Sequence, residues 1–296
     1  DHRDLHSFPT RRSSDLCDRA AECGLQRLIE EDQALSFELD TTTKEQILSG
    51  LGDQHIDVAV AKLKSKFGVD VALEEPRIAY KETIRKKTDK VQGRHKKQSG
   101  GHGQFGDVWI EFEPCDSDSL VFEEKIFGGA VPKNFFPAIE KGLQESVKKG
   151  VLAGCPVVGI KATLLDGSYH PADSSEMAFK IAASLAFKEG MKQADPILLE
   201  PIGSLSVTIP DAKTGEIMGD LNKRRGRVLG MEPAGDGITV IQAEVPMREM
   251  HDFTMYLRQV AKGMGEFTFE FLRYEPLPSN LLDDVVASVK SSDEEE

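Results

Sequence analysis

Apolar residues recur with helical and strand periods along the chain, first between Cys17 and Leu73. Apolar positions three and four residues apart predict a helix that ends near Glu31, and two short strands, a second helix and a last strand follow it. This order is that of a ferredoxin-like split βαβ unit without its first strand. The pattern therefore predicts a domain at 17–76 whose opening strand is missing.

The same order recurs in complete form near the C-terminus. A strand at Ile202–Val207 precedes a helix at Thr214–Arg225, and two strands and a second helix follow. The last strand, Glu266–Phe271, places three phenylalanines on one side. The pattern predicts a second ferredoxin-like domain at 199–280.

The stretch 77–198 between them predicts a third domain. Three strands are expected at Ile78–Thr88, Gln104–Glu113 and Leu120–Ile126, and later elements at Pro132–Lys149 (helix), Val157–Leu165 (strand) and Ser174–Met191 (helix). The last helix has Met177, Ile181 and Leu185 as its expected buried side, and Asp173 with Glu176 as its expected cap. All three units mix sheets and helices, so the predicted fold class is α+β.

The two ends of the chain lack a periodic pattern. Residues 1–16 are predicted to be a leader foreign to the fold, either artefactual or disordered. Residues 281–296 carry an excess of acids and are predicted to be a disordered tail. Neither end is expected to add to the three domains.

Charge is distributed unevenly over the 296 residues. The net charge is −13, yet nine basic and two acidic residues lie between Arg77 and His102. Four scattered cysteines form no C-x-x-C pair, and no segment has the roughly 20 apolar residues that span a membrane. A cytoplasmic, monomeric protein with reduced thiols and one basic segment is expected.

The sequence contains no recognisable enzyme motif. A phosphate-binding G-x-x-x-x-G-K-[ST] loop, a G-x-S-x-G elbow and an H-E-x-x-H zinc motif are all absent from it. The seven histidines show no ligand spacing. We therefore expect no catalytic residue, no metal site and no cofactor within this chain.

Two loops carry candidate binding chemistry. The first, Gln98–Gln104, is rich in glycine and follows the basic segment, so it suits RNA phosphates or is simply a flexible hairpin connection. The second, Asp166–Ala172, offers Tyr169 and His170 for stacking on a base or for hydrogen bonding to RNA. From the residues alone, an ordinary turn is the better interpretation of the second loop.

Several long motifs resemble elongation factor G of bacteria, from about Cys17 to Asn280. They are AYKETIR at 79–85, KQSGGHGQFG at 97–106, GSYH at 167–170, DSSE at 173–176, LEP at 199–201 and GDLNKRRG at 219–226. The resemblance implies the third, fourth and fifth domains of that factor. It also implies two ferredoxin-like domains that flank a ribosomal-protein-type βαβ domain.

The resemblance implies that the middle domain reaches the small-subunit decoding region of the ribosome. It places the RNA-binding tip at Ser99, Gly100, Gly101, His102, Gly103, Gln104, Gly167, Ser168, Tyr169 and His170. The basic residues expected to face RNA are Lys86, Lys87, Lys90, Arg94, Lys96 and Lys97. The implied partners are ribosomal RNA, the large-subunit factor-binding region, transfer RNA and messenger RNA.

Two departures from the usual pattern point to a paralogue or a divergent lineage. His102 stands where Arg or Lys is usual, and Pro171-Ala172 replaces Asp-Val. The GTPase and β-barrel domains, which would hold GTP and Mg, are expected to be missing from this chain. The implied function is GTP-dependent translocation, and the alternatives are a ribosome-protection protein of the same superfamily or a stand-alone RNA-binding protein.

Overall fold

The structure is a computed structural model that describes residues 6–11, 15–40, 43, 45–73, 76–97, 103–126 and 130–294. The helices are α1 (Asp15–Glu31), α2 (Asp53–Lys62), α3 (Phe136–Ser146), α4 (Glu176–Gln193), α5 (Thr214–Lys223), α6 (Phe253–Ala261) and α7 (Ser279–Glu294). The strands are β1 (His6–Arg11), β2 (Ser36–Leu39), β3 (Gln46–Gly50), β4 (Ala72–Leu73), β5 (Lys81–Ile84), β6 (Val91–Lys97), β7 (Gln104–Pro114), β8 (Val121–Glu124), β9 (Ile160–Ser168), β10 (Pro196–Pro210), β11 (Arg227–Gly235), β12 (Ile238–Pro246) and β13 (Glu266–Pro276). This mixture of sheets and helices confirms the α+β class.

The chain divides into two compact units. The first contains Asp1–Ala79 and Pro201–Tyr274, and the second contains Tyr80–Glu200 and Glu275–Glu296. Each unit has its own buried apolar clusters. The candidate RNA-binding residues lie in the second unit.

The first sheet of unit one has the strand order β2-β3-β1-β4, which is that of a ferredoxin-like fold. Its core is built from side chains of α1, α2 and the strands, among them Leu25, Leu48 and Ile56. The expectation that the opening strand is missing is wrong: β1 pairs antiparallel with β3 and with β4, with Phe8 opposite Leu48. Backbone hydrogen bonds complete this sheet, and they need no alternation of side chains, so the pattern did not reveal the strand.

The second sheet of unit one has the equivalent order β11-β12-β10-β13. Its core joins strand residues such as Val207 and Ile241 to Leu221 of α5 and Phe253 of α6. Phe267 of β13 meets the Phe253 ring edge-on, with centroids 5.2 Å apart. The βαββαβ order expected from the sequence is thus present in full.

Unit two is built on the sheet β6-β7-β9-β8, in which only β8 and β9 are parallel among the described pairs. Helix α4 lies directly on β6 and β7, because Gly93 and Gly106 have no side chain there. A Cβ at Gly93 would lie 2.1 Å from the Ala182 carbonyl, and one at Gly106 would lie 2.6 Å from that of Ala178. One face of the sheet is therefore covered by α4.

The strand expected at 78–88 is shorter in the structure, and β6 was not expected from the sequence. Lys81–Ile84 (β5) pairs with β10, whereas the strand that pairs with β7 is Val91–Lys97. Between them the Thr88 hydroxyl accepts a 2.9 Å hydrogen bond from the Phe112 amide, and the Thr88 amide donates to the Phe112 carbonyl at 2.8 Å. This local anchoring ends one strand before the next begins.

The buried side of α4 differs from the expected one. Met177 is 59% exposed and Leu185 is 42% exposed. The side chains that face the core are mostly small: Ala178, Phe179, Ala182, Ala183, Ala186 and Phe187. Because the helix lies close to the glycines of the sheet, only small side chains such as alanine fit between them. A prediction that assigns the largest apolar residues to the buried side therefore selects the wrong side of this helix.

The acidic tail expected to be disordered forms α7. Val285 is fully buried there, and Leu281, Leu282, Val286 and Val289 lie one helical turn or less from it. These apolar residues recur every three or four positions, which is the pattern of an amphipathic helix. The acidic composition concealed this period.

Candidate functional site

The two loops that carry candidate chemistry meet at one end of the β6–β7–β9 sheet. The amide of Gly103 donates to the Asp173 carboxylate at 3.0 Å, and the amide of Phe105 donates to the Asp173 carbonyl at 2.8 Å. The Ser174 hydroxyl donates to the Phe105 carbonyl at 2.9 Å. Three hydrogen bonds thus join the start of β7 to the turn that precedes α4.

His170 is held by its own turn. Its backbone amide donates to the Ser174 hydroxyl at 2.8 Å, and its Nδ1 accepts from the amides of Ala172 and Asp173, both at 3.3 Å. Because Nδ1 is an acceptor, the ring proton lies on Nε2. The side chain is 56% exposed, and the neighbouring Tyr169 is 46% exposed. Tyr169 therefore does not fold back into the core.

The cap of α4 is not the one expected. Ser175 is the N-cap, and its hydroxyl accepts from the Ala178 amide at 3.2 Å. Asp173 instead binds the Gly103 amide and lies 3.4 Å from His170 Nδ1. Because Ser175 alone closes the helix, the Asp173 carboxylate is available to join the two loops.

A cleft of about 290 Å³ opens where the loops meet, and we call it the tip groove. It is lined by Lys96, Lys97, Gly103, Gln104, Phe105, Ser168, Tyr169, His170 and Asp173. The structure thus brings seven of the predicted residues into one groove. Ser99, Gly100, Gly101 and His102 lie outside the described residues. Gly167 has a packing role, because a Cβ there would lie 2.5 Å from the Asp107 carbonyl.

Of the six basic residues predicted to face RNA, two form ion pairs with carboxylates of the protein. Lys86 lies 3.4 Å from Asp195, and Lys87 lies 2.8 Å from Glu111 and 3.4 Å from Glu113. The hydrogen bond that Lys87 donates to the Glu111 carboxylate raises the pKa of Lys87. These two lysines have carboxylate partners within the protein, yet their side chains are 70% and 55% exposed, so their contact with RNA stays a prediction.

The remaining basic residues follow the strand toward the tip groove. Arg94 stacks over the ring of Phe105, with its guanidinium carbon 5.7 Å from the ring centroid. Lys90, Lys96 and Lys97 are exposed, and none of them has a carboxylate partner among the residues that the structure describes. Lys96 and Lys97 are therefore the cations available at the groove.

Two buried carboxylates near this region were not predicted as functional. Asp107 accepts from the Gln92 amide and from the Ser168 hydroxyl, both at 2.9 Å, and fixes the strand end that carries the second loop. Glu82 is fully buried and accepts hydrogen bonds of 2.9–3.2 Å from five consecutive amides, Val151 to Cys155. Glu82 lies in the AYKETIR motif at 79–85, and this was the sequence feature that could have drawn attention to it.

The part of the chain that the structure describes offers no group of three or more His, Cys, Asp or Glu side chains placed to hold a metal ion. Within the same residues, none of the helices combines the length and the apolar character needed to cross a membrane.

Fold and site together define an α+β protein with two ferredoxin-like sheets and a third sheet that ends in a basic, aromatic groove. The chain matches three family models: Elongation Factor G, domain III at residues 18–75, Elongation factor G, domain IV at 76–195, and Elongation factor G C-terminus at 197–285. Strand β1 lies before the first match. The chain belongs to the elongation factor G family.

Relatives and a solved structure agree with this assignment. The chain is 47% identical over 264 residues to the elongation factor G-like protein of Thermotoga maritima and 46% identical over 264 residues to elongation factor G of Gluconobacter oxydans. Each match covers 89% of this chain, but only 38% and 37% of the two relatives. A crystal structure of a protein from Thermus thermophilus has a TM-score of 0.83 and 42% identity over 96% of this chain and 42% of its own.

Proposed function

We propose that this chain is the ribosome-engaging part of a translation elongation factor that promotes GTP-dependent movement of transfer RNA and messenger RNA in the cytoplasm. The parent protein takes GTP and Mg in a domain outside this sequence. The tip groove contacts RNA of the small-subunit decoding region, and the C-terminal domain contacts the factor-binding region of the large subunit.

The observation that carries this proposal is the tip groove itself. Two exposed lysines without carboxylate partners among the described residues lie beside Tyr169 and His170, which are also exposed. Hydrogen bonds through Asp173 and Ser174 hold Gly103 and Phe105, at the start of β7, against the turn that carries His170. An RNA-binding surface needs cations that contact phosphates and rings that stack on bases, and both must be held in place.

Ribosome pelleting across a salt series tests the proposal. We expect Lys96→Gln combined with Lys97→Gln to weaken binding and to make the slope of log affinity against log salt shallower by roughly 1.5, because two phosphate contacts are lost. The matched control is Lys148→Gln with Lys149→Gln, an adjacent pair of exposed lysines outside the groove. Equal affinities and slopes for both double variants would contradict the proposal.

A ribosome-protection role is the second candidate within this superfamily. The sequence GSYH at 167–170, which the structure exposes at the tip groove, favours the elongation factor. Translocation assays with and without a decoding-site antibiotic would separate the two activities.

A further inference from the structure

The sheet of unit two has a second side, opposite α4, that carries aromatic rings. Gly93 and Gly106 face α4. Because side chains alternate along a strand, Arg94 on β6 and Phe105 and Trp109 on β7 point away from that helix. Phe105 and Trp109 are both partly exposed. We call this side, with Arg94, Lys96, Phe105 and Trp109, the aromatic face.

The polar groups of the aromatic face can contact a nucleotide. Lys96 lies opposite Phe105 in the strand register, and Gln92 and Asp166 lie opposite Trp109 on its two sides. Among the residues that the structure describes, none accepts a hydrogen bond from the indole N–H of Trp109. The indole is therefore available both to stack and to donate.

The carboxylates on this side of the sheet are already engaged, among them Glu111, which pairs with Lys87 at 2.8 Å. Asp107 accepts from Gln92 and Ser168, and Asp166 accepts from the Gly167 amide at 2.8 Å. Of the cations, Arg94 lies over the Phe105 ring and Lys96 has no carboxylate partner among the described residues. Arg94 and Lys96 lie on β6, the edge strand of the sheet, so this edge of the face presents positive charge that complements a phosphate backbone.

We propose that the aromatic face binds unpaired bases of single-stranded RNA, with one base on Trp109, another on Phe105 and the phosphates at Arg94 and Lys96. Duplex RNA does not suit this face, because its bases are already stacked on one another. The two rings are four residues apart on one strand, about 13 Å, so they take bases that are splayed apart rather than stacked neighbours. This site rests on RNA being the partner, as in the proposed function; it shares Lys96 and Phe105 with the tip groove and extends along the sheet to Trp109.

Trp109 is the only tryptophan in the chain, so its fluorescence reports on this face alone. We expect a twelve-residue oligouridylate to quench it saturably, and a twelve-base-pair RNA duplex to quench it far less. Binding measured with a labelled oligonucleotide should weaken at least about fivefold for Trp109→Leu and for Phe105→Leu. Trp109→Phe, which keeps a ring, is the matched control, and thermal melts confirm that each variant is folded.

The outcomes distinguish this inference from the proposed function. If the oligonucleotide leaves Trp109 fluorescence unchanged, or if Trp109→Leu binds it like the parent chain, the aromatic face is not a base-binding site, whatever ribosome pelleting shows for Lys96 and Lys97. Equal quenching by single strand and duplex would mean electrostatic contact only, which also overturns the inference. Ribosome binding that depends on Trp109 without any oligonucleotide binding would mean that the face docks a protein.

Discussion

His170 presents two chemically different ring nitrogens. Nδ1 is occupied by the amides of Ala172 and Asp173, which shape the turn. Nε2 carries the proton and belongs to an exposed side chain that lines the tip groove. The ring therefore holds the loop with one nitrogen and can donate to a partner with the other.

These two roles can be separated by substitution. We expect His170→Ala, in this chain joined to the N-terminal part of the Thermotoga maritima relative, to slow translocation on the order of tenfold, because one hydrogen bond to RNA is lost. GTP hydrolysis should stay close to normal. Stopped-flow translocation kinetics, read beside a thermal melt, give both quantities.

Two further variants serve as matched controls for His170. Asn places an oxygen near the position of Nδ1, whereas Gln places an amide nitrogen near that of Nε2. We expect Gln to recover part of the rate and Asn to recover mainly the melting temperature. Normal translocation with a lowered melting temperature for His170→Ala would leave His170 with a packing role only.

Glu82 illustrates a residue whose importance is structural. Its two oxygens accept from five consecutive backbone amides, so an amide side chain cannot satisfy them all. We expect Glu82→Gln to lower the free energy of unfolding by about 1–3 kcal/mol, because buried donors lose their acceptor. Denaturant unfolding measures this, with Glu124→Gln at an exposed position of β8 as control. Equal unfolding midpoints for the two variants would disprove the role.

At the level of elements, hydrophobic period predicted most helices and strands of both ferredoxin-like sheets. It failed where backbone or small side chains decide the structure. Strand β1 is held by backbone pairing with β3 and β4, and the buried side of α4 is set by alanines against Gly93 and Gly106. No pattern of apolar residues carries that information.

The candidate site could be predicted only in part for a similar reason. Motif resemblance located both loops, but the hydrogen bonds that join them run between residues about 70 positions apart, such as Gly103 and Asp173. The pairing of Lys87 with Glu111 likewise depends on strand register. Trp109 lies in none of the motifs, and the side of the sheet that it faces depends on the register of β7 with β6.

Strand β1 should stabilise the sheet that it completes. Truncation of residues 1–11 removes the partner of both β3 and β4 and leaves two open edges in the middle of the sheet. We expect hydrogen exchange at the amides of α2 to accelerate, while those of α6 keep their protection. Removal of residues 291–296 is the control truncation. Unchanged exchange in α2 would show that β1 contributes nothing to stability.

Carboxylates throughout the molecule pair with cations, in both compact units. A hydrogen bond from Lys161 lowers the pKa of Glu113 and of Glu123, and one from Arg224 lowers the pKa of Asp252. Arg273 and Lys180 lower the pKa values of Glu244 and Glu145 in the same way. Each exposed pair contributes little near neutral pH, but all of them titrate in the same direction.

A carboxylate whose pKa is lower in the folded protein than in the unfolded chain binds fewer protons when folded. It therefore stabilises the fold at any pH above its ordinary value, which is 4.5 for Glu and 3.8 for Asp, and this stability is lost as the pH falls through the lowered value. We expect these groups to leave the melting temperature unchanged between pH 7 and pH 5.5. Below about pH 4.5 the melting temperature should fall steadily as they bind protons.

Lys161→Met provides the test of this cause, because it removes the nearer cation partner of Glu113 and of Glu123 together and leaves each with a more distant lysine. The melting temperature of the variant should fall less steeply in acid, since the pKa values of the two carboxylates in the folded protein then lie closer to their ordinary values. Lys64→Met, which removes the partner of Asp70 at the surface of unit one, is the control and should follow the parent curve closely. Melting curves from pH 7 to pH 3 with the same slope for Lys161→Met and for the parent would show that acid unfolding is governed by other groups.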